Sequence, residues 1–176
     1  MEQGLTHFDS QGNAVMVDVS AKNSSRRMAQ AKGHIMVNQE TLKAIQQGSA
    51  RKGDVLAVAR IAGIMAAKKT AELIPLCHPL VFDSCKIDFT LPEPGPAGDG
   101  SQPCIEAVCT VHLSGKTGAE IEALTGVSVA LLTIYDMCKA IDRGMVISAI
   151  QLWEKSGGKS GHFLRERPQD EGSAWA

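Results

Sequence analysis

Ile105-Glu106-Ala107-Val108-Cys109-Thr110-Val111-His112-Leu113 runs into Ser114-Gly115-Lys116-Thr117-Gly118, and a stretch without charge follows from Ala123 to Tyr135. In the first nine residues Ile105, Ala107, Cys109, Val111 and Leu113 alternate with Glu106, Val108, Thr110 and His112, which is the period of a half-buried antiparallel strand. Past Gly118 the period becomes helical, and the spacing predicts a long buried helix over roughly Ala119 to Asp142. A strand that turns through a glycine loop into a buried helix fixes the middle of the fold. Gly-Lys-Thr before a helix resembles a P-loop only in part, because the first glycine of that motif would fall at position 110, which is Thr110.

Working outward, Cys85-Lys86-Ile87-Asp88-Phe89-Thr90-Leu91 alternates just as strictly and predicts a second strand. The Pro/Gly-rich segment 92–103 between the two strands reads as a mobile hairpin loop without function. Gly33–Val37 predicts a short strand. Asn38 then caps a helix that Gly48 stops, and Asp54 caps a second helix from Val55 to about Thr70. Met145–Trp153 predicts the last strand. The order is β-α-β-β-α-β with a doubled first helix, an α+β plan of the ferredoxin-like kind. It implies a four-stranded antiparallel sheet with helices on one face. The uncovered sheet face and the Ala/Gly-rich helix predict a homo-oligomer. Residues 1–32 read as a polar arm made basic by Lys22, Arg26, Arg27 and Lys32, with Met16–Ser20 a short strand or an extended segment; composition favours a solvated tail, and the other reading is an arm that lies across its own protein or a neighbour and contributes cations.

The chain of 176 residues fits a single domain over 1–176, with a flexible N-terminal arm and C-terminal tail. A net charge of −1 supplies no global field for nucleic acid or membrane, and 4% aromatics argues against a base-stacking sheet. The five cysteines are odd in number and lack C-x-x-C spacing, so they read as thiols in a reducing compartment and not as a zinc site. No signal peptide and no apolar run of roughly 20 residues is legible, so a cytoplasmic location is expected.

The candidate chemistry begins with Asp136 and Lys139, three residues apart on one helix face. A plain i,i+3 ion pair at a helix end is the simpler reading, and an acid–base pair is the other. Leu73-Ile74-Pro75-Leu76-Cys77-His78-Pro79-Leu80 brackets His78 between two prolines on a stiff backbone, where a histidine serves structure or catalysis about equally well. Glu154-Lys155-Ser156-Gly157-Gly158-Lys159-Ser160-Gly161 is either a flexible linker or a phosphate-holding loop, with glycines for close amide approach and lysines for charge. Candidate cations are Arg27, Lys52, Lys68, Lys116, Lys139, Lys155 and Lys159, and candidate acids are Asp18, Glu120, Glu122 and Asp136. This mix suits a polyanionic substrate that also needs proton transfers. On one helix Glu122 and Asp136 share a side but lie about 21 Å apart along the axis, whereas Glu120 points away from Glu122. Either Glu122 has another role, or two copies of the helix meet across an interface and share a site.

Met16–Ser20, Lys52-Gly53-Asp54-Val55, Leu73–Leu80, Gly115–Gly118, Leu124-Thr125, Thr133–Ala140 and Lys155–Gly161, taken together and in this order, closely resemble the cyclic pyranopterin monophosphate synthases, the C proteins of molybdenum cofactor (molybdopterin) biosynthesis. The likeness runs from about Leu5 to Phe163. It implies a lyase that converts 3′,8-cyclo-7,8-dihydroguanosine 5′-triphosphate to cyclic pyranopterin monophosphate and releases pyrophosphate. It implies Asp136 as catalytic acid/base with Lys139 beside it, and substrate contacts at Leu76, Cys77, His78, Ile121 and Glu122. Lys52, Lys155, Asp18, Arg27, Lys68 and Glu120 match positions that line the pocket. The resemblance also implies a homohexamer, a trimer of dimers, with the pocket at a subunit interface. Magnesium is allowed for as a companion of the triphosphate, with no dedicated metal cage and no other cofactor. Segment 92–103 is longer than the family pattern, and the tail after Phe163 is this chain's own. The alternative is a non-catalytic nucleotide-binding regulatory module of the same fold.

Overall fold

The structure, a computed structural model, describes residues 11–48, 53–93 and 102–166. Lys52, most of the 92–103 loop and the tail beyond Glu166 lie outside the described residues. The chain forms β1 (Ser25–Met36), α1 (Gln39–Gln46), α2 (Val55–Lys68), α3 (Thr70–Leu73), β2 (Ser84–Thr90), β3 (Cys104–Gly115), α4 (Glu120–Cys138), β4 (Val146–Ser156) and β5 (Phe163–Leu164). The strands pair in the order β2-β3-β1-β4-β5, and every pair is antiparallel. Without β5 this is the ferredoxin-like order expected of a β-α-β-β-α-β chain. The two-residue β5 pairs with Glu154 and Lys155 and adds a fifth strand to the four predicted.

The alternation in β3 does what its sequence dictates. Ile105, Ala107, Cys109, Val111 and Leu113 are buried against the helices, with Ile87 of β2 in the same core. β1 is longer than the predicted Gly33–Val37 strand: it starts at Ser25 and takes in Arg26, Arg27 and Lys32, which had read as part of a loose arm. Its inward residues Ala29, Ala31, Gly33 and Ile35 do alternate with polar ones, but three of the four are too small to announce a strand. β4 likewise extends beyond Trp153 to Ser156, so Lys155 stands on a strand. Two register shifts against β1 bend β4, and within it Ala149 has φ 49°, a left-handed conformation that L-residues rarely adopt.

The predicted caps are present. The Asn38 side chain accepts from the Thr41 N–H at 2.8 Å, Asp54 accepts from the Ala57 N–H at 3.0 Å, and Gly48 closes α1 with φ 62°. Helix α4 packs on β1, β3 and β4, and α2 packs on β2 and on α4. By length and composition α4 is apolar enough to cross a membrane, but Ala123, Val127, Ala130, Leu131 and Ile134 are buried in the protein core. Gly63 of α2 and Gly126 of α4 let the two helices touch backbone to backbone, since a Cβ at Gly63 would stand 2.6 Å from the Gly126 carbonyl oxygen.

Candidate functional site

The Pro-bracketed segment folds as its prolines require. Ile74–Cys77 is a turn with Pro75 at its second position, closed by the Cys77 N–H donating to the Ile74 carbonyl at 3.1 Å. This turn lays Leu76, Cys77 and His78 across the head of α4, where they line a cavity of about 260 Å³ with Thr117, Gly118, Glu120, Ile121 and Glu122. Val17, Val19 and Lys22 of the arm form its remaining wall. The arm is therefore no loose tail. The Lys116 ammonium holds it, donating to the Ser20 carbonyl at 2.7 Å. Glu120 and Glu122, about 200° apart on an ideal helix, reach the same cavity because the Glu120 side chain folds back over Gly118. The expectation that Glu120 points away is overturned by that fold-back at the helix start.

Glu122 is 4% exposed. Burial pushes its carboxyl up to about 7 from 4.5, outweighing a hydrogen bond from its own main-chain N–H, and the Glu120 carboxylate pushes the same way. Burial also raises the Cys77 thiol, with Glu122 adding to the effect. Asp18 is held below the usual carboxylate range, first by the Ser20 N–H at 2.8 Å, then by the Ser20 side chain, with Lys116 helping. For Glu122 the sign of the pH effect is clear. The folded carboxyl prefers its proton, so its contribution is fully present below about pH 4.5 and is lost as pH rises through about 7. The shift corresponds to about 3 kcal/mol at order of magnitude. Urea unfolding from about pH 4.5 to pH 8 should show the wild type losing roughly that much relative to Glu122→Gln. Parallel stability curves for the two proteins would contradict the assignment.

A second cavity, of about 670 Å³, opens beside the first. It is lined by residues 21–25 with Arg27, by Lys116, Thr117, Gly118 and Glu120, and by Gly158, Lys159 and Ser160. Arg27 ties its walls together. Its Nε donates to the Gly115 carbonyl at 2.9 Å and its Nη2 to the Lys116 carbonyl at 3.1 Å. Lys68 lines a third, smaller recess with Glu122 and Pro79. Lys155 donates to the Ser160 hydroxyl and so steadies the glycine loop.

Asp136 and Lys139 stand at the other end of α4, paired at 2.7 Å and more than half exposed. Fourteen residues of helix, about 21 Å, separate Asp136 from Glu122. Within one chain the structure thus gathers Leu76, Cys77, His78, Glu120, Ile121 and Glu122, places Arg27 next door, and leaves Asp136 and Lys139 remote. The sequence had not marked Val17, Val19, Thr117 and Gly118 as wall residues. The apolar-polar-apolar run Val17-Asp18-Val19 was the available signal, and of it only Asp18 was taken as a site residue.

The fold is ferredoxin-like α+β, and its acid-lined cavity opens onto one rich in lysine. The comparisons with known proteins place the chain in a family. The MoaC family model matches residues 16–158. The chain is 57% identical over 166 residues to the cyclic pyranopterin monophosphate synthase of Clostridium botulinum, covering 94% of this chain and all of that protein. It is 59% identical over 157 residues to the protein of that name from Novosphingobium aromaticivorans, covering 89% of this chain and 94% of the relative. The chain belongs to the MoaC family.

Proposed function

We infer that this chain is a lyase that converts a cyclised GTP derivative to cyclic pyranopterin monophosphate with loss of pyrophosphate, in molybdenum cofactor biosynthesis. Membership of the MoaC family carries the reading. The cavity at the head of α4 supports it, because it joins a carboxyl near neutrality to a rigid Cys77-His78 wall. A purine ring must be opened and reclosed as a pterin, and a ribose hydroxyl must attack the innermost phosphate. A carboxyl with a pKa of about 7 trades protons well at neutral pH. Asp136 and Lys139 are the proposed acid–base pair. Magnesium, where it takes part, enters with the triphosphate. The five thiols suit a reducing compartment such as the cytoplasm.

A second copy is supported by the stripe that α4 turns outward. Ile121 and Leu132 are exposed on it, Thr125 and Ser128 are half-buried, and it ends at Asp136 and Lys139. Val58, Ile61 and Met65 expose a parallel apolar ridge on α2. A two-fold axis crossing α4 near Val129, midway between 122 and 136, brings Asp136 of one copy beside Glu122 of the other. Three such dimers would give the hexamer. The test supplies the cyclised GTP derivative and measures pyrophosphate and pterin product, with light scattering for the assembly. Saturable binding without turnover would replace the lyase with a regulatory module, and an active monomer would remove the shared site.

A further inference from the structure

The C-terminal end of α4, where the proposed acid–base pair stands, is fastened from below. Asp136 and Lys139 are both more than half exposed. Their sequence neighbours turn the other way: Cys138 is buried and Tyr135 half-buried. The last turn of a helix leaves carbonyl oxygens without helical partners, and it frays unless they are taken up. Here the loop after α4 folds back on that turn. The Cys138 carbonyl accepts from the Ile141 N–H at 2.8 Å and from the Asp142 N–H at 3.1 Å. The Tyr135 hydroxyl reaches the same loop and donates to the Arg143 carbonyl at 3.1 Å.

Asp142 ties this loop to the rest of the molecule. One of its carboxylate oxygens accepts from the main-chain N–H of Asn38 at 2.8 Å, and the other accepts from the Gly144 N–H at 2.8 Å. Asn38 is the joint between β1 and α1, and its own side chain caps α1. β1 is the middle strand of the sheet, so the tie ends on the strand held from both sides. Helix electrostatics alone would disfavour an acid at this position. α4 carries no base in its last turn, and a carboxylate just past a helix C-terminus meets the negative end of the helix dipole. The two charge-assisted hydrogen bonds to main-chain N–H groups offset that penalty.

We propose that Asp142 is a positioning residue for the Asp136–Lys139 pair: its carboxylate fastens the loop after α4 to the β1–α1 joint and so fixes the turn from which the pair projects, with the Tyr135 hydroxyl as a second tie. The proposal rests on the acid–base role inferred above for the pair, and it adds what holds an exposed pair in place. A pair that serves the cavity of another copy across an interface is placed by the turn that carries it and by whatever anchors that turn. A displacement of about 1 Å at such a pair costs roughly a hundredfold in rate.

Asp142→Ala should lower kcat about 10- to 100-fold and leave KM nearly unchanged, because the Glu122 cavity lies at the far end of the helix. Asp142→Asn keeps the shape and one accepting oxygen, so its kcat should fall between that of Asp142→Ala and the wild type. Tyr135→Phe loses the second tie alone and should lower kcat by a smaller factor than Asp142→Ala. Asn38→Ala is the control for plain destabilisation. It removes the cap on α1 but keeps the main-chain N–H that Asp142 uses, so it should lower Tm with kcat unchanged. Amide hydrogen exchange gives a readout without substrate: the N–H groups of residues 138–142 should exchange faster in Asp142→Ala than in the wild type or Asn38→Ala. If Asp136→Asn loses turnover while Asp142→Ala keeps the wild-type kcat, the pair stands and this inference fails. Equal losses of kcat in Asp142→Ala and Asn38→Ala would also overturn it, leaving Asp142 a structural tie. If Asp136→Asn keeps full turnover, the acid–base reading itself fails and takes the positioning role with it.

Discussion

Gly63→Ala is expected to destabilise the protein by about 2 kcal/mol and to lower Tm by roughly 4 to 8 °C. The added methyl would stand 2.3 Å from Cδ1 of Ile87 and 2.6 Å from the main-chain oxygen of Gly126. Ile87 has a fully buried side chain in β2, and Gly126 lies mid-helix in α4, so neither neighbour yields at low cost. Overpacking of this kind costs about 3 kcal/mol, and the better helix propensity of alanine returns about 1. Gly126→Ala should cost less, because its nearest contact is the Cys109 sulfur at 2.8 Å and the Gly63 oxygen is 3.4 Å away. The mechanism can be separated from general damage. Ile87→Val deletes the Cδ1 that the new methyl strikes. The Gly63→Ala/Ile87→Val protein should therefore be more stable than the two single losses predict by addition. Simple additivity in chemical denaturation would show that the clash is relieved elsewhere.

This crossing also shows what was legible in the sequence and what was not. The change of period from β3 to α4 needed no structure, because the strand alternates on its own and the helix is apolar over most of its surface. β1 was hidden for a physical reason. Its inward positions include Ala29, Ala31 and Gly33, and at the last of these α4 lies so near that a Cβ would stand 2.7 Å from Val127. The closest packing thus leaves the weakest hydrophobic signal, and Arg26, Arg27 and Lys32 looked like a tail. The Cys77-His78 wall was legible because two prolines fix it. That the arm could lie across its own protein was open in the sequence, but its apolar wall was not legible, since Val17 and Val19 line the site beside a tie between Lys116 and Ser20 that is remote in sequence. The separation of Glu122 from Asp136 was readable from helix rise alone, and it left either another role for Glu122 or a second copy of the helix.

Two inactive variants, mixed, should return about one quarter of wild-type activity. Asp136→Asn removes the proposed acid/base and should reduce turnover by about 10² to 10⁴. Its fold should survive, because the carboxamide keeps the shape and the exposed pair with Lys139 is worth about 1 kcal/mol or less. His78→Ala removes a wall of the cavity at the other end of α4 and should also abolish most turnover. If each site takes its cavity from one copy and its acid from the other, random co-assembly leaves a normal cavity in half the sites. Half of those also meet a normal Asp136, so about one site in four is intact. A site contained within one chain gives no intact combination, and the mixture then shows only the mean of the two residual rates. Co-expression of the two variants, followed by the pyrophosphate assay and light scattering on the mixed assembly, decides between them. Recovery requires both subunit exchange and a shared site, so a mixture that exchanges subunits yet stays inactive would leave Asp136 and Glu122 in separate places.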